Sequence, residues 1–188
     1  VTQMELPIDE EHEIEIVRHV LEGDVQAFEL LVLRYQKPIY NLAFRATASE
    51  DSAADLTQEA FAKAYERLER FDRSKRFFPW LYTIAVNVVR DHLRKLGRDR
   101  TVGVADLEAA VAGPWDVEQK SMHDRLVLQR LVKEMEKLPF DYREALILRF
   151  KQDFSMKEIA QALGLSLSGA KMRVSRGLRM LRERFKEQ

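Results

Sequence analysis

The sequence predicts an all-α protein of two small helical domains joined by a flexible linker, the second domain containing a helix-turn-helix. Three observations carry this expectation. Only 7 Gly and 5 Pro punctuate 188 residues; apolar residues recur three and four apart instead of alternating; and that period fails over one stretch near the middle of the chain.

Taken in order, Phe28, Leu31, Val32, Tyr35, Ile39 and Leu42 mark a first long helix after Gly23, and Pro38 is expected to kink it. Ser52-Ala-Ala-Asp55 has the spacing of a capping box and points to the next helix, whose stripe is Phe61, Ala64, Tyr65 and Leu68. A charged loop, Asp72 to Arg76, leads into a helix that can hold Pro79 in its first turn, where a missing N–H costs nothing. Leu81, Ile84, Ala85, Val88 and His92 form its apolar stripe, with His92 read as a core histidine and Gly97 as the stop.

Residues 99–120 read as the linker between a domain over 1–98 and one over 121–188: Ala, Val, Gly and Asp dominate, Gly113-Pro114 interrupts, and only a short helix around 106–111 is compatible with the pattern. Leu128, Leu131, Val132, Met135 and Leu138 then restart helical spacing until Pro139, and Tyr142, Ala145, Leu146 and Arg149 begin another short helix. Ser155-Met-Lys-Glu158 is a capping box, Ile159, Ala160 and Leu163 form a brief apolar face, and Gly164 closes it. The final helix turns Ala170, Val174, Leu178, Leu181 and Phe185 inward. A short capped helix, a Gly-containing turn and a longer helix are the ingredients of a helix-turn-helix.

Composition excludes several functions. With 0 Cys there are no disulfides, zinc fingers, iron–sulfur sites or thiol catalysis. Neither a long apolar run nor a leader-like start is present, so a soluble, cytoplasmic protein is expected. No phosphate-cradling Gly-rich loop, HExxH or Gly-x-Ser-x-Gly occurs, and His12, His19, His92 and His123 lie far apart, so no catalytic set and no cofactor are expected. The Asp9–Glu15 acids with His12 could hold a cation, but a solvated acidic start explains them as well.

Charge gives the first positive sign of function. Thirty-one basic and thirty-one acidic residues cancel, yet residues 1–24 carry eight acids against Arg18, while 56–100 and 151–188 each carry five more bases than acids. Two basic blocks fit two contacts with a polyanion, although solvated helix faces produce the same segregation. The last helix sharpens this: Lys171, Arg173, Ser175, Arg176, Arg179 and Arg182 lie outward, as in a helix that meets base edges with its first turns and phosphates with the rest. A membrane surface or an acidic partner would also attract such a face; the capped helix and turn before it favour DNA. Earlier, Phe71, Phe77, Phe78, Trp80 and Tyr82 interleave with Arg70, Arg73, Lys75 and Arg76, a combination on which single-stranded bases stack while cations follow the phosphates. Inward packing accounts for the same rings, Trp80 and Phe77 first among them. Asn87, Arg90, Asp91 and Arg94 then share a polar helix face able to hold backbone or bases.

Four stretches, Gly23 to Phe28, Asp55-Leu-Thr-Gln-Glu-Ala-Phe61, Trp80-Leu-Tyr-Thr-Ile-Ala-Val-Asn87, and Leu138-Pro139 through the terminal helix-turn-helix, stand in an order and spacing that resemble a bacterial RNA polymerase sigma factor of the extracytoplasmic-function (ECF) type. The resemblance spans about residues 23–184 and implies a division of labour. Asp55, Gln58, Glu59 and Phe61 would dock on the β′ clamp of core RNA polymerase, which also engages the factor through its β subunit. Phe71, the loop residues Arg73, Ser74, Lys75 and Arg76, and Trp80, Asn87, Arg90 and Arg94 would recognise and melt the −10 promoter element and capture a flipped base. Many relatives have a small Gly-containing loop where this chain reads Asp72-Arg-Ser-Lys-Arg76, so the preferred base stays open. Ser168, Lys171, Met172, Arg173, Ser175, Arg176 and Arg179 would read the −35 element as duplex. The family further implies an anti-sigma factor partner, no membrane insertion and no enzymatic activity. The acidic start would either screen the basic faces or stay solvated. An autonomous helix-turn-helix regulator, binding its operator without polymerase, is the alternative, and a purely protein-binding helical adaptor is a third.

Overall fold

The computed structural model describes residues 10–97 and 122–186, and every regular element in them is helical. The proposed linker and its possible short helix lie outside the described residues, as do the acids Glu5 and Asp9.

The chain enters with α1 (Glu10–Leu21), a helix within the acidic start that the sequence left solvated. Val17 and Val20 are buried in the core, and Glu13, 3% exposed, accepts a hydrogen bond from the Tyr35 hydroxyl and pairs with Arg34 Nε at 3.0 Å. Burial, then the Glu13 carboxylate, push the Tyr35 phenol well above its usual range, so the hydroxyl stays a donor. Asp24 caps a 3-10 turn at Val25–Ala27 and leads into α2 (Phe28–Thr47). Pro38 sits inside α2 without ending it, and Ala48, with φ 53°, closes the helix through its N–H to Phe44 O at 2.8 Å.

α3 (Glu50–Glu66) starts three residues earlier than the Ser52 spacing suggested. Ser49 is the cap: its hydroxyl accepts from the Ser52 N–H at 3.2 Å, so Ser52 is the capped residue and not the cap. A 3-10 turn at Leu68–Arg70 and the charged loop precede α4 (Phe77–Lys95), with Pro79 in its first turn as expected. Leu81, Ile84, Ala85 and Val88 are buried, and Gly97, at φ 64°, ends the run in a left-handed conformation that favours glycine. α2, α3 and α4 pack on one another around Phe77, Leu31 and Ile39, each at most 1% exposed.

The second unit comprises α5 (Met122–Glu136), α6 (Phe140–Phe150), α7 (Met156–Leu163) and α8 (Leu167–Lys186). The Ser155 capping box forms with both of its bonds: Glu158 N–H to Ser155 Oγ at 3.3 Å and Ser155 N–H to Glu158 Oε2 at 2.7 Å. Gly164 at φ 64° turns the chain, and Ser166 Oγ accepts from Gly169 N–H at 3.0 Å to start α8. Gly177 lets α8 approach α6, since a Cβ there would meet Leu146 at 3.2 Å.

The two units pack together. α4 runs along α7, and Phe154, fully buried, meets the edges of Phe78 and Tyr82 at 5.4 and 5.8 Å. Beside it, Arg45 of α2 and Tyr82 of α4 converge on Glu144 of α6.

Candidate nucleic-acid interface

Three surfaces hold the residues singled out from the sequence. The first is the loop before α4. Asp72 Oδ1 accepts from the Ser74 N–H at 3.1 Å and the Ser74 hydroxyl at 2.7 Å, which folds the loop into a tight turn. These Ser74 bonds, with help from Lys75, hold the Asp72 carboxyl below its usual range. Arg73, Ser74 and Lys75 are exposed, and together with Arg76 and with Glu11 and Ile14 of α1 they line an open cleft of about 370 Å³. An acidic residue of the first helix therefore does stand beside the basic loop. Arg76 is half-buried: its Nη1 donates to Asp153 O at 3.1 Å and lies 3.6 Å from Glu158 Oε1.

The aromatic cluster around this loop faces inward more than the stacking reading requires. Phe71 is 5% exposed and touches Phe77 edge-on at 5.6 Å and Trp80 at 5.0 Å. Its ring contributes to the core and presents no face to a base; Trp80 is half-buried. On α4, Asn87 and Arg94 are exposed, with Arg94 bonded to Asp91 at 2.9 Å, while Arg90 Nη2 donates to Leu163 O at 2.5 Å. His92 departs from the core role read for it. It is half-buried and lines an open cleft with Glu59, Lys63, Val88, Asp91 and Arg94.

The second surface is on α3. Asp55, Gln58 and Glu59 project to solvent, and Glu59 pairs with Lys63 at 2.5 Å. Phe61 is on the other side, 6% exposed and edge-on to Phe28 at 6.4 Å, so it fixes the helix on the core and has no surface to offer a partner.

The third surface is α8. Ser168, Lys171, Met172, Ser175, Arg176 and Arg179 are exposed in its first four turns. Arg173 differs: it is half-buried and reaches Asp141 at 3.5 Å. Ala170 and Val174 are buried and Leu178, Leu181 and Phe185 half-buried, as the helical spacing predicts. A short capped helix, a glycine turn and a helix with an exposed cationic face thus stand together in three dimensions.

The comparisons with known proteins agree with this geometry. The Sigma-70 region 2 family pattern matches residues 31–99, and the Sigma-70 region 4 pattern matches residues 128–181. The chain is 31% identical to the ECF RNA polymerase sigma factor SigW of Bacillus subtilis, across 91% of this chain and 95% of that one. It belongs to the ECF sigma factors. Identity is 33% to the RNA polymerase sigma-H factor of Pseudomonas aeruginosa, over 90% of this chain and 91% of that one. It is 34% to the ECF sigma-E factor of Escherichia coli K12, over 86% and 87%. Among solved structures, the sigma factor RpoE bound to the anti-sigma factor NepR from Bartonella quintana superposes with a TM-score of 0.62 at 28% identity, covering 85% of this chain and 96% of that one. CnrH, in complex with the cytosolic domain of CnrY, shares the fold with a TM-score of 0.62 at 24% identity over 93% and 97%.

This sigma factor is a transcription initiation factor that works with core RNA polymerase on promoter DNA, and the reading as an autonomous regulator falls away. Among its described residues no helix is long and apolar enough to cross a membrane, and no three His, Asp or Glu gather into a metal-holding group. One feature of the sigma factor has no counterpart in the sequence reading: Arg45 and Glu144, 7% and 1% exposed, form a buried ion pair between the two units.

Proposed function

We propose that the two units divide promoter recognition between them. The exposed cationic face of α8, presented behind the capped α7 and its glycine turn, is the observation that carries this reading. Residues 121–188 read the −35 element as duplex, with Lys171, Met172, Ser175 and Arg176 toward base edges and Ser168, Arg173 and Arg179 nearer phosphates. A Lys or Arg that donates to guanine O6 and N7 contributes about 1–3 kcal/mol of discrimination. Backbone N–H groups at the entry to α8 suit a phosphate oxygen.

Residues 1–98 bind core polymerase and the −10 element, and 99–120 link this unit to the −35 reader. Asp55, Gln58 and Glu59 meet the β′ clamp, with Phe61 holding their helix in place; the β subunit completes the polymerase contact. Arg73, Ser74 and Lys75 take the non-template strand. Trp80, Asn87, Arg90 and Arg94 extend that path along α4 with Arg76 at its start, and Phe71 acts by shaping the loop. Extruding one base costs a few kcal/mol, which a fitted cleft and phosphate contacts offset. The factor itself catalyses no reaction, works in the cytoplasm, and is held in check by an anti-sigma factor, as the bound state of the RpoE relative suggests.

The test is footprinting of reconstituted holoenzyme on a promoter it uses. The proposal expects protection of the −35 duplex that disappears with Arg176→Ala, and permanganate-reactive thymines at −10 that disappear with Asn87→Ala. Protection unchanged by Arg176→Ala removes α8 from −35 reading.

A further inference from the structure

The contact between the two units is built in an unusual way. Glu144 of α6 directs both carboxylate oxygens away from its own unit: Oε1 accepts from Arg45 Nε at 2.5 Å, and Oε2 accepts from Arg45 Nη2 at 3.1 Å and from the Tyr82 hydroxyl at 2.6 Å. Arg45 is on α2 and Tyr82 on α4, so the pair exists only while the units touch. Phe154 seals the site, packed edge-on against Phe78 and Tyr82. A buried ion pair gains little net stability, because desolvation offsets the Coulomb attraction, yet loss of one partner leaves an uncompensated buried charge. Such a contact fixes register and remains reversible.

The same interface engages two arginines assigned above to the −10 path. Arg76 donates to Asp153 O at 3.1 Å, and Arg90 donates to Leu163 O at 2.5 Å, both acceptors being backbone carbonyls of the second unit. Lys171, Ser175 and Arg176 on α8 stay exposed at the same time. One DNA face is therefore open in this arrangement while two cations of the other are occupied.

We propose that Arg45, Glu144 and Tyr82 form an intramolecular latch, closing the second unit against α2 and α4 so that the chain itself masks Arg76 and Arg90 from the −10 strand. The masking half rests on the proposed −10 role of those arginines; the latch itself does not. Opening exchanges two carbonyl acceptors for phosphate oxygens, which bind arginine more strongly because they are charged. Single-stranded DNA and closure thus compete for the same guanidinium groups, and the DNA shifts the population by its preference for the open form.

The chain has 0 Cys, so Gln36→Cys on α2 and Gln161→Cys on α7, both exposed positions, give a unique pair of spin labels across the interface. Pulsed electron spin resonance on the full chain should show one narrow distance distribution. Glu144→Gln should add a broad, longer population, raising the open fraction at least about tenfold. Tyr82→Phe keeps the ring on Phe154 and loses only the hydroxyl, so it should shift the distribution less, and it decides the matter should Glu144→Gln fail to fold. In parallel, fluorescence anisotropy with a labelled, randomised single-stranded DNA of about ten nucleotides should show Glu144→Gln binding about tenfold more tightly than wild type. An unchanged distance distribution in both variants overturns the latch. A chain that opens without any gain in DNA affinity overturns the masking. Failure of the −10 reading itself shows separately, as an open variant that binds no single strand at all.

Discussion

Phe71 lies against Trp80 with ring centroids 5.0 Å apart and planes tilted by 48°, and only 5% of Phe71 is exposed. The ring beside the −10 loop is therefore core. Phe71→Ala should lower stability by about 3–5 kcal/mol, as expected for an emptied aromatic site, and urea denaturation will show it. Asn87→Ala, at an exposed position, should leave the midpoint within about 0.5 kcal/mol and act on promoter melting alone. A stable Phe71→Ala protein that still fails to melt promoters would return the ring to the DNA site.

The Asp72 turn makes a prediction about pH. Ser74 bonds lower the Asp72 carboxyl in the folded loop, so their contribution is present above the unfolded aspartate value of about 3.9 and is lost as pH falls through the folded value. The Ser74 amide resonance should therefore hold its folded position at pH 5 and move only with a midpoint below the ordinary aspartate range. Asp72→Ala should abolish that transition. A midpoint at or above the ordinary range would mean the turn does not form as described.

On α3, Glu59 pairs with Lys63 on an exposed helix face. Such a pair contributes only about 0.3–0.5 kcal/mol, so Glu59→Ala and Gln58→Ala should fold as wild type. Their affinity for core polymerase should fall by at least about 1 kcal/mol each, measured by competition against unmodified factor. Unchanged affinity in the double variant would move the clamp contact elsewhere.

Two neighbouring arginines on α8 should behave differently. Arg176 is exposed, and Arg176→Ala should weaken recruitment to −35-dependent promoters by about 1–3 kcal/mol while relaxing base preference. Arg173 is half-buried beside Asp141, and the contact proposed for it is with phosphate. Arg173→Ala should weaken binding evenly across sequences and reduce the salt slope by about 1. Quantitative binding of holoenzyme to promoter variants at two salt concentrations separates them.

Local chemistry explains what the sequence made legible. The Ser155–Glu158 box, the Gly164 turn and the inward spacing from Ala170 to Phe185 involve residues a few positions apart, so pattern and geometry coincide. The same rule failed at Ser52, because Ser49 three residues earlier also offers a hydroxyl and spacing alone does not choose between them. Burial was harder. Phe71 and Phe61 stand in motifs that carry function in the family, yet packing against Trp80 and Phe28 decides which way they point. α1 was hidden by its charge: Val17 and Val20 are buried beside Glu13, whose carboxylate bonds Tyr35, in a helix whose composition suggests solvation. The Arg45–Glu144 pair, separated by 99 positions, left no local signal of any kind.

The central claim is tested most directly by multi-round transcription from a genomic fragment library, with core RNA polymerase alone and with the full chain added. Holoenzyme should start at a defined set of sites sharing −35 and −10 elements, where core alone starts none. Initiation indistinguishable from that of core, with the protein bound tightly to duplex DNA on its own, would contradict it.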